Sequence, residues 1–287
     1  MENAMNTVSS RGVARLVRGM PTSDGAGVKL TRVIGQPQLP DLDPFLMLDE
    51  FGTDNPGDYI AGFPDHPHRG FETVTYMLDG RMRHRDNHGH EGVLAPGGVQ
   101  WMTAGRGIVH SEMPEQQSGR MRGFQLWINL PSREKMTAPK YQEFPAQDIP
   151  QVDSQGVRVK VIAGTVEGLT GPIAQPATDP TYLDIELSPG QRFAHALPAG
   201  HAAFVYVYEG EARIGEGDAA TTTRTHELAV LTDGGAIRLE GRGDSPTRAI
   251  VVAGRPLREP VAKYGPFVMN TREELMQAFE DFQNGRF

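Results

Sequence analysis

Residues 62–80 read GFPDHPHRGFETVTYMLDG and residues 92–114 read GVLAPGGVQWMTAGRGIVHSEMP, and these two stretches decide the fold. They contain two pairs of potential metal ligands at spacing i, i+2, which are His66 with His68 and His110 with Glu112. Successive side chains of an extended strand alternate between its faces, so each pair directs both donors to one side. If the two pairs lie on facing strands, three imidazoles and one carboxylate converge on one point. The spacing therefore predicts a mononuclear metal site.

The donor set is compatible with several metals and two kinds of site. Three imidazoles and one carboxylate suit iron, manganese, copper, nickel or zinc. An octahedral ion held by four protein ligands keeps coordination positions free for a substrate or dioxygen. A closed tetrahedral zinc would be structural instead, and its removal would unfold the barrel that holds it. The residues alone leave both interpretations open.

Composition excludes several classes of protein. The 287 residues include no cysteine, which rules out disulfides, thiolate metal sites and cysteine nucleophiles. The net charge is -8 and the basic residues are scattered, so a nucleic-acid-binding surface is not expected. No apolar run approaches the roughly 20 residues that span a bilayer, and the first residues lack the apolar core of a secretory signal. We therefore expect a cytoplasmic protein without a nucleic-acid or membrane partner.

Short strands separated by turn signals predict an all-β chain. Residues 72–78 and Val99–Thr103 are rich in β-branched and aromatic side chains, and Asp79-Gly80 is a strong hairpin signal. The apolar run 43–51 is a candidate buried strand, although its periodicity alone cannot decide. YMLDG at 76–80 resembles YVYEG at 206–210, and this internal similarity favours a duplicated barrel.

Domain boundaries follow from a polar stretch and a helical tail. Residues 131–150 are polar and contain four prolines, so we place the division there. The predicted domains are a metal-binding barrel at 1–140, a metal-free barrel at 141–265 and a helical tail at 266–287. Thr271 and Glu274 form a capping-box pattern before an apolar stripe at helical spacing, which predicts a helix over 270–282 that docks on a barrel.

The remaining histidines are expected to have no role in the metal site. His84, His88 and His90 lie in a stretch that we interpret as a polar, solvated return between strands. The second half contains three isolated histidines without an HxH partner, at positions 195, 201 and 226.

Other side chains are candidates for supporting the site. Glu72 is expected to support a ligand or to form an ion pair with Arg69, and Gln100 could hydrogen-bond a bound ligand. Five large apolar residues are candidates for a cavity wall, although core packing is the simpler explanation for most of them: Phe51, Phe63, Trp101, Met102 and Phe124.

Three long stretches resemble the pirin family of the cupin superfamily. They are DPFLMLDEF at 43–51, FPDHPHRGFETVTY at 63–76 and VQWMTAGRGIVHSEMP at 99–114, and RHRD at 83–86 extends the likeness. The second half resembles the family more weakly, through PAGHAAFVYVYEG at 198–210. The resemblance implies two cupin barrels of the jelly-roll type, face to face, with a metal in the N-terminal barrel only.

The resemblance also implies a ligand set and an activity. The ligands would be His66, His68, His110 and Glu112, around one divalent ion that is usually iron; manganese, copper, nickel and zinc are the alternatives. Pirin-like proteins are associated with quercetin 2,3-dioxygenase activity, in which dioxygen opens a flavonol and carbon monoxide is released. Glu112 would then be catalytic, as the acceptor of the 3-hydroxyl proton.

The family leaves a second functional class open. Other members are linked to transcriptional regulation through protein partners, so the alternative is a non-enzymatic, iron redox-sensing regulatory protein. An electropositive face around the metal would favour that alternative. A monomer is expected in either case.

Overall fold

The computed structural model of the protein describes residues 9–287, and within them the chain consists of β-strands, short 3-10 turns and one α-helix. The strands before residue 147 are β1 (Val13–Arg18), β2 (Met20–Asp24), β3 (Val28–Ile34), β4 (Phe45–Thr53), β5 (Phe63–His68), β6 (Phe71–Asp79), β7 (Met82–Asp86), β8 (Glu91–Leu94), β9 (Val99–Thr103), β10 (Ile108–Pro114), β11 (Met121–Asn129) and β12 (Lys140–Phe144). The later strands are β13 (Gln151–Ser154), β14 (Val157–Ala163), β15 (Thr165–Val166), β16 (Leu169–Thr170), β17 (Thr181–Leu187), β18 (Arg192–Ala196), β19 (Ala202–Glu209), β20 (Glu211–Ile214), β21 (Thr221–Arg224), β22 (Glu227–Leu231), β23 (Ala236–Arg242), β24 (Thr247–Gly254), β25 (Ala262–Tyr264) and β26 (Phe267–Met269), followed by helix α1 (Arg272–Gln283). The 3-10 turns are at Pro56–Asp58, Ser132–Glu134, Ala146–Asp148 and Gly217–Ala219. The predicted all-β fold class is confirmed.

The described chain divides into two compact units, each built on a β-barrel. The first barrel contains residues 20–147 and 257–287, and the second contains residues 9–19 and 148–256. In the first barrel a seven-stranded sheet has the order β12-β9-β6-β11-β4-β3-β2, and a four-stranded sheet has the order β5-β10-β7-β8. All of these pairings are antiparallel, so short turns suffice to connect most neighbours.

The second barrel repeats this topology strand for strand. Its seven-stranded sheet has the order β1-β22-β19-β24-β17-β14-β13, and its four-stranded sheet has the order β18-β23-β20-β21. A cluster of buried hydrophobic residues lies within it, including Val161, Leu183, Val205 and Val251. The matching order of strands agrees with the internal duplication that the repeated YxxxG-type segments predict.

In the structure, residues 9–19 belong to the second barrel and residues 257–287 belong to the first. The predicted boundaries instead divide the chain into segments that follow one another in sequence. Strand β1 pairs with β22, with Val17 opposite Leu228, and therefore completes the edge of the second barrel. Strand β12 holds the equivalent edge of the first barrel, beside β9. Residues 1–8 of the predicted first domain lie outside the described residues.

The apolar run at 43–51 forms the strand β4, which lies between β11 and β3 in the middle of its sheet. Seven consecutive residues from Phe45 to Phe51 are buried. A strand that is covered on both faces loses the alternation of apolar and polar residues, which is why periodicity could not identify it.

The C-terminal tail belongs to the first barrel. Helix α1 has the predicted capping box, in which the Thr271 side chain accepts from the Glu274 backbone N–H and the Glu274 carboxylate accepts from the Thr271 backbone N–H. Phe279 and Phe282 contact Phe267 on β26 at ring-centroid distances of 4.8 and 6.2 Å, so the predicted apolar stripe packs on this barrel. No helix in the described part of the chain has the length and apolar character required to cross a membrane.

Candidate metal centre

The two ligand pairs lie on neighbouring antiparallel strands. β5 pairs with β10, so that His110 lies directly opposite His66 and Ile108 lies opposite His68. Directly opposite residues share one face of a sheet, and residues at i, i+2 do the same. The register therefore brings His66, His68 and His110 together, as the spacing predicts.

The three imidazoles form a compact group. Their ring centroids lie 4.7 Å apart for His66 and His68, 4.4 Å for His66 and His110, and 5.0 Å for His68 and His110. One ring nitrogen from each lies within 4.8 Å of the others. Within residues 9–287 no hydrogen-bond partner faces the buried Nδ1 of His68 or either ring nitrogen of His110. Buried imidazole nitrogens without partners are the donors that a metal ion would satisfy, so the group fits a metal.

Burial keeps these imidazoles in the form that binds metals. Desolvation, and then the neighbouring imidazoles, hold the pKa of His68 and of His110 well below the usual value, so both are neutral at neutral pH. The Nδ1 of His66 lies 2.8 Å from the carbonyl oxygen of Pro64. When Nδ1–H donates to that oxygen, Nε2 is left with a free lone pair for coordination.

Glu112 is buried beside the three histidines and is held by two polar neighbours. Its carboxylate accepts from the Thr75 hydroxyl at 2.9 Å and from the Gln125 amide at 3.0 Å. A register irregularity separates Glu112 from His110 on β10, and the group of donors within 4.8 Å consists of the three imidazoles. The role of Glu112 as the fourth ligand therefore stays a prediction.

A cavity of about 850 Å³ is lined by His66, His68 and Glu112, whereas His110 is buried and is not part of the lining. Apolar and aromatic side chains form much of its wall, including Met47, Phe51, Phe63 and Trp127. Of the five apolar candidates from the sequence, Phe51 and Phe63 line this cavity. The other three are fully buried core residues outside its lining: Trp101, Met102 and Phe124.

Two groups of residues that line the cavity were not predicted from the sequence. Trp127 lies edge-on to His68, with ring centroids 5.2 Å apart, and packs against Phe71 at 4.3 Å. The second group is on the hairpin of β25 and β26, where Lys263, Tyr264 and Gly265 line the cavity. No local signal connects this hairpin to histidines about 200 residues away.

Gly70 explains how the tail approaches the metal ligands so closely. It lies two residues after His68 and has φ +88°, in the region that glycine tolerates best. A Cβ atom at this position would lie 2.0 Å from the carbonyl oxygen of Val268 on β26. Any side chain at position 70 would therefore displace the hairpin that closes one side of the cavity.

The supporting residues have partners that differ from those expected. Glu72 accepts a hydrogen bond from the Thr103 hydroxyl at 2.6 Å. Arg69 pairs with Asp281 on α1 at 2.7 Å. Gln100 is buried outside the cavity lining and donates to Glu143 at 2.9 Å, so its side chain is directed away from a ligand in this cavity.

The stretch at residues 81–90 corrects the expectation of a solvated return. Residues 82–86 form β7, in which Met82 and His84 are buried while Arg83 and Arg85 are exposed. The sequence alone does not reveal this alternation, because histidine is a polar residue type and yet His84 lies on the buried face of β7. His84 and His90 form a second group of closely spaced donors with Glu143.

Comparison with known proteins identifies the family. The family described as Pirin matches residues 27–128, and the Pirin C-terminal cupin domain matches residues 182–287. A Pirin-like protein of Caulobacter vibrioides is 56% identical over 279 residues, which cover 96% of this chain and 99% of that protein.

Solved structures share the architecture over nearly the whole chain. The crystal structure of quercetin 2,3-dioxygenase from Acinetobacter baumannii is 34% identical with a TM-score of 0.88, and the match covers 97% of this chain and 99% of that chain. The crystal structure of bacterial pirin YhhW in complex with nickel(II) from Escherichia coli is 21% identical with a TM-score of 0.62, covering 84% of this chain and 98% of that chain. This chain is therefore a bicupin that belongs to the pirin family.

Proposed function

We propose that this protein is a metal-dependent dioxygenase that opens the ring of a flavonol such as quercetin with O2. The proposed ligands are His66, His68, His110 and Glu112, around one divalent ion for which iron(II) is the first candidate. The observation that carries the proposal is the convergence of three imidazoles, of which His66 and His68 line an open cavity. The likeness to the Acinetobacter baumannii quercetin 2,3-dioxygenase supports the substrate class.

The cavity has the size and chemistry that a flavonol requires. Sites for small aromatic ligands occupy about 300–1,000 Å³ and are mainly apolar with a few placed polar groups. The apolar wall of Met47, Phe51, Phe63 and Trp127 provides flat surfaces for aromatic rings. Arg32 supplies a polar group at the wall, where its guanidinium donates to both oxygens of Asp49 at 2.9 and 2.7 Å.

A divalent ion bound by the imidazoles would act as a Lewis acid towards the 3-hydroxyl and ketone oxygens of the flavonol. The protein would supply position and exclusion of water. Trp127 and Phe71 pack against the His68 ring at 5.2 and 5.0 Å and restrict its orientation. The buried walls around His68 and His110 keep both imidazoles neutral and directed at one point.

Glu112 is the proposed acceptor of the 3-hydroxyl proton. General bases act within hydrogen-bond reach of the proton that they remove, and Glu112 lies in the lining of the same cavity. Thr75 and Gln125 fix its carboxylate through hydrogen bonds of 2.9 and 3.0 Å. Gln125 also lines the cavity, so the proposed base and the amide that donates to it lie side by side in the cavity wall.

The charge of the cavity wall does not favour the regulatory alternative. The acidic lining residues are Asp24, Asp49, Asp65 and Glu112, whereas the basic ones are Arg32 and Lys263. An electropositive mouth would have pointed to a partner that recognises the metal-bearing face.

Oxygen uptake by the reconstituted protein tests the proposal. The full chain is stripped with a chelator, loaded with iron(II), manganese(II), copper(II) or nickel(II), and mixed with quercetin in an oxygen electrode. We expect uptake with at least one metal, and its loss in His110→Ala. His88→Ala is the matched control, because His88 is an exposed histidine that should leave uptake unchanged. Flavonol binding to every metal-loaded form without oxygen uptake would overturn the proposal.

A further inference from the structure

A second group of metal-type donors lies in the first barrel, separate from the three imidazoles described above. His84 on β7, His90 before β8 and Glu143 on β12 each offer one donor atom, and these atoms lie within 4.8 Å of one another. The Nε2 atom of His84 is 3.0 Å from the Oε2 atom of Glu143, and the Nε2 atom of His90 is 3.7 Å from the same oxygen. The β7 strand, the turn before β8 and the distant strand β12 therefore bring two nitrogens and one carboxylate close together.

The hydrogen bonding of the Nε2 atoms of His84 and His90 is incomplete. Both Nε2 atoms are shielded from solvent, and within the described residues neither has a hydrogen bond of normal geometry, despite the nearby carboxylate. His84 is almost completely buried, at 3% exposure. Two shielded imidazole nitrogens that face one carboxylate oxygen need a proton or a cation between them. A cation satisfies all three donors at once.

The donor spacing matches a metal with bonds of ordinary length. Ligand atoms that bind a tetrahedral ion at about 2.0–2.1 Å lie roughly 3.3 Å from one another. The separations of 3.0 and 3.7 Å bracket that value. Two of the three donor separations are therefore compatible with an ion at ordinary bond lengths, and all three donors lie within 4.8 Å of one another.

Outer partners hold each donor in place, as is usual around metal sites. Gln100 is buried and donates to Glu143 at 2.9 Å. Tyr141 stacks on the His90 ring with centroids 4.2 Å apart. Asp86 accepts from the backbone N–H of His90 at 2.9 Å, which fixes the turn that carries this histidine.

Gly92 provides the space in which the donors meet. It lies on β8, opposite His84 in the strand register. A Cβ atom at this position would lie 2.7 Å from the Nε2 atom of His84 and 3.2 Å from the Oε1 atom of Glu143. The approach of these two donors therefore depends on the absence of a side chain at residue 92.

We propose that His84, His90 and Glu143 form a second metal site, which binds a divalent ion of borderline softness such as Zn²⁺. Two imidazoles and a carboxylate are the set that zinc accepts, with a further coordination position open to water. This site is independent of the proposed dioxygenase activity, because none of its three donors belongs to the first group.

Zinc stoichiometry of the chelator-stripped full chain tests the proposal. Zn²⁺ is added, free ion is removed by gel filtration, and bound metal is counted by mass spectrometry; calorimetry gives the affinities. We expect two zinc ions per wild-type chain and one in His90→Ala. His88→Ala should still bind two, since His88 lies in the same turn but is exposed. His110→Ala should retain the second site while it loses the first.

Two milder variants separate loss of the site from loss of the fold. Gly92→Ala keeps every donor but places a methyl group against His84, so we expect the second zinc to be lost while the first remains. Gln100→Leu removes the donor to Glu143, and we expect the second affinity to fall roughly 10- to 100-fold. Binding of a single zinc by the wild type, or of two by both His90→Ala and Gly92→Ala, would overturn the proposal.

Discussion

Single residues determine whether the cavity can perform chemistry, and Glu112 is the most informative of them. It combines burial, two hydrogen-bond donors and a position in the lining beside three imidazoles. Its neighbours in the chain differ from it, because neither Ser111 nor Met113 lines the cavity.

Glu112→Gln should separate binding from turnover. The amide keeps the volume of the side chain but cannot accept a proton, and its single oxygen can accept from only one of Thr75 and Gln125. We expect kcat per bound metal to fall about 10²- to 10⁴-fold, which is the range for general bases. The Kd for quercetin, measured anaerobically by fluorescence quenching, should stay within a few-fold. Glu91→Gln, at an exposed carboxylate, is the control, and an unchanged kcat in Glu112→Gln would exclude the base role.

Lys135 holds three segments of the first barrel together from a buried position. Its ammonium donates to the carbonyl oxygens of Gly70 and Val268 at 2.8 and 2.9 Å and to the Asn129 side chain at 2.7 Å. Burial lowers the pKa of this amine to about 8, so it remains protonated at neutral pH. The three acceptors come from the end of β5, from β11 and from the tail hairpin.

Lys135→Met should therefore be strongly destabilising. It leaves three buried oxygens without a donor, and we expect the free energy of unfolding to fall by about 3 kcal/mol or more. Urea unfolding at pH 7 measures this change. Lys140→Met, at an exposed lysine on β12, should change the same quantity by less than about 0.5 kcal/mol.

At the scale of elements, local patterns predict local structure well. The helix was readable because Thr271 and Glu274 form a capping box before a stripe at helical spacing, and both hydrogen bonds are present. The convergence of His66, His68 and His110 was readable because the period of a strand is two. The strand β7 was not, since its buried face consists of Met82 and a histidine. Burial of a histidine depends on distant partners such as Glu143, which no local pattern contains.

The docking of α1 should depend on acidic pH through Asp281. This carboxylate accepts from Arg69 at 2.7 Å and also from Gln277 and Arg286, and these bonds, chiefly that from Arg69, lower its pKa from 3.8 to about 2. Because the folded-state pKa lies below the unfolded one, the unfolded chain binds more protons between these values. The stabilisation is therefore present above about pH 4 and is lost as the pH falls through about 2.

Urea midpoints of the wild type and Asp281→Asn across this pH range check the sign. We expect the wild type to be more stable at pH 5 and the difference to vanish towards pH 2. A difference that grows on acidification would contradict the assignment. Asp244→Asn, at an exposed aspartate in a loop of the second barrel, is the control and should show no such trend.

At the scale of the whole molecule, the duplication of the barrel could be predicted from the sequence. The assignment of residues 9–19 to the second barrel and of residues 257–287 to the first could not. The repeat is carried by segments such as YMLDG and YVYEG, which lie in equivalent strands β6 and β19. The pairing of β1 with β22 joins residues more than 200 positions apart, so nothing near Val17 could reveal its partner. For the same reason, the sequence could not predict that the hairpin of β25 and β26 lines the cavity.

Arg11→Met tests the assignment of residues 9–19 to the second barrel. Arg11 is buried and donates to the carbonyl oxygens of His201 and Pro198, both at 2.8 Å, within the second barrel. We expect faster amide hydrogen exchange in β19 and β22, unchanged exchange in β5 and β10, and a loss of about 2–3 kcal/mol of stability. Arg15→Met, at an exposed position on β1 nearby in the chain, should change neither barrel. Increased exchange in β5 and β10 would contradict the assignment of residues 9–19 to the second barrel.

The measurement that tests the central claim most directly is oxygen consumption together with carbon monoxide release by the iron(II)-loaded chain in the presence of quercetin. If His66, His68, His110 and Glu112 hold a catalytic metal in the cavity, O2 uptake and CO release should occur in equal amounts. Both should disappear in His110→Ala and persist in His88→Ala. A chain that retains its metal and binds quercetin but consumes no oxygen, or an equal rate in His110→Ala, would contradict the claim.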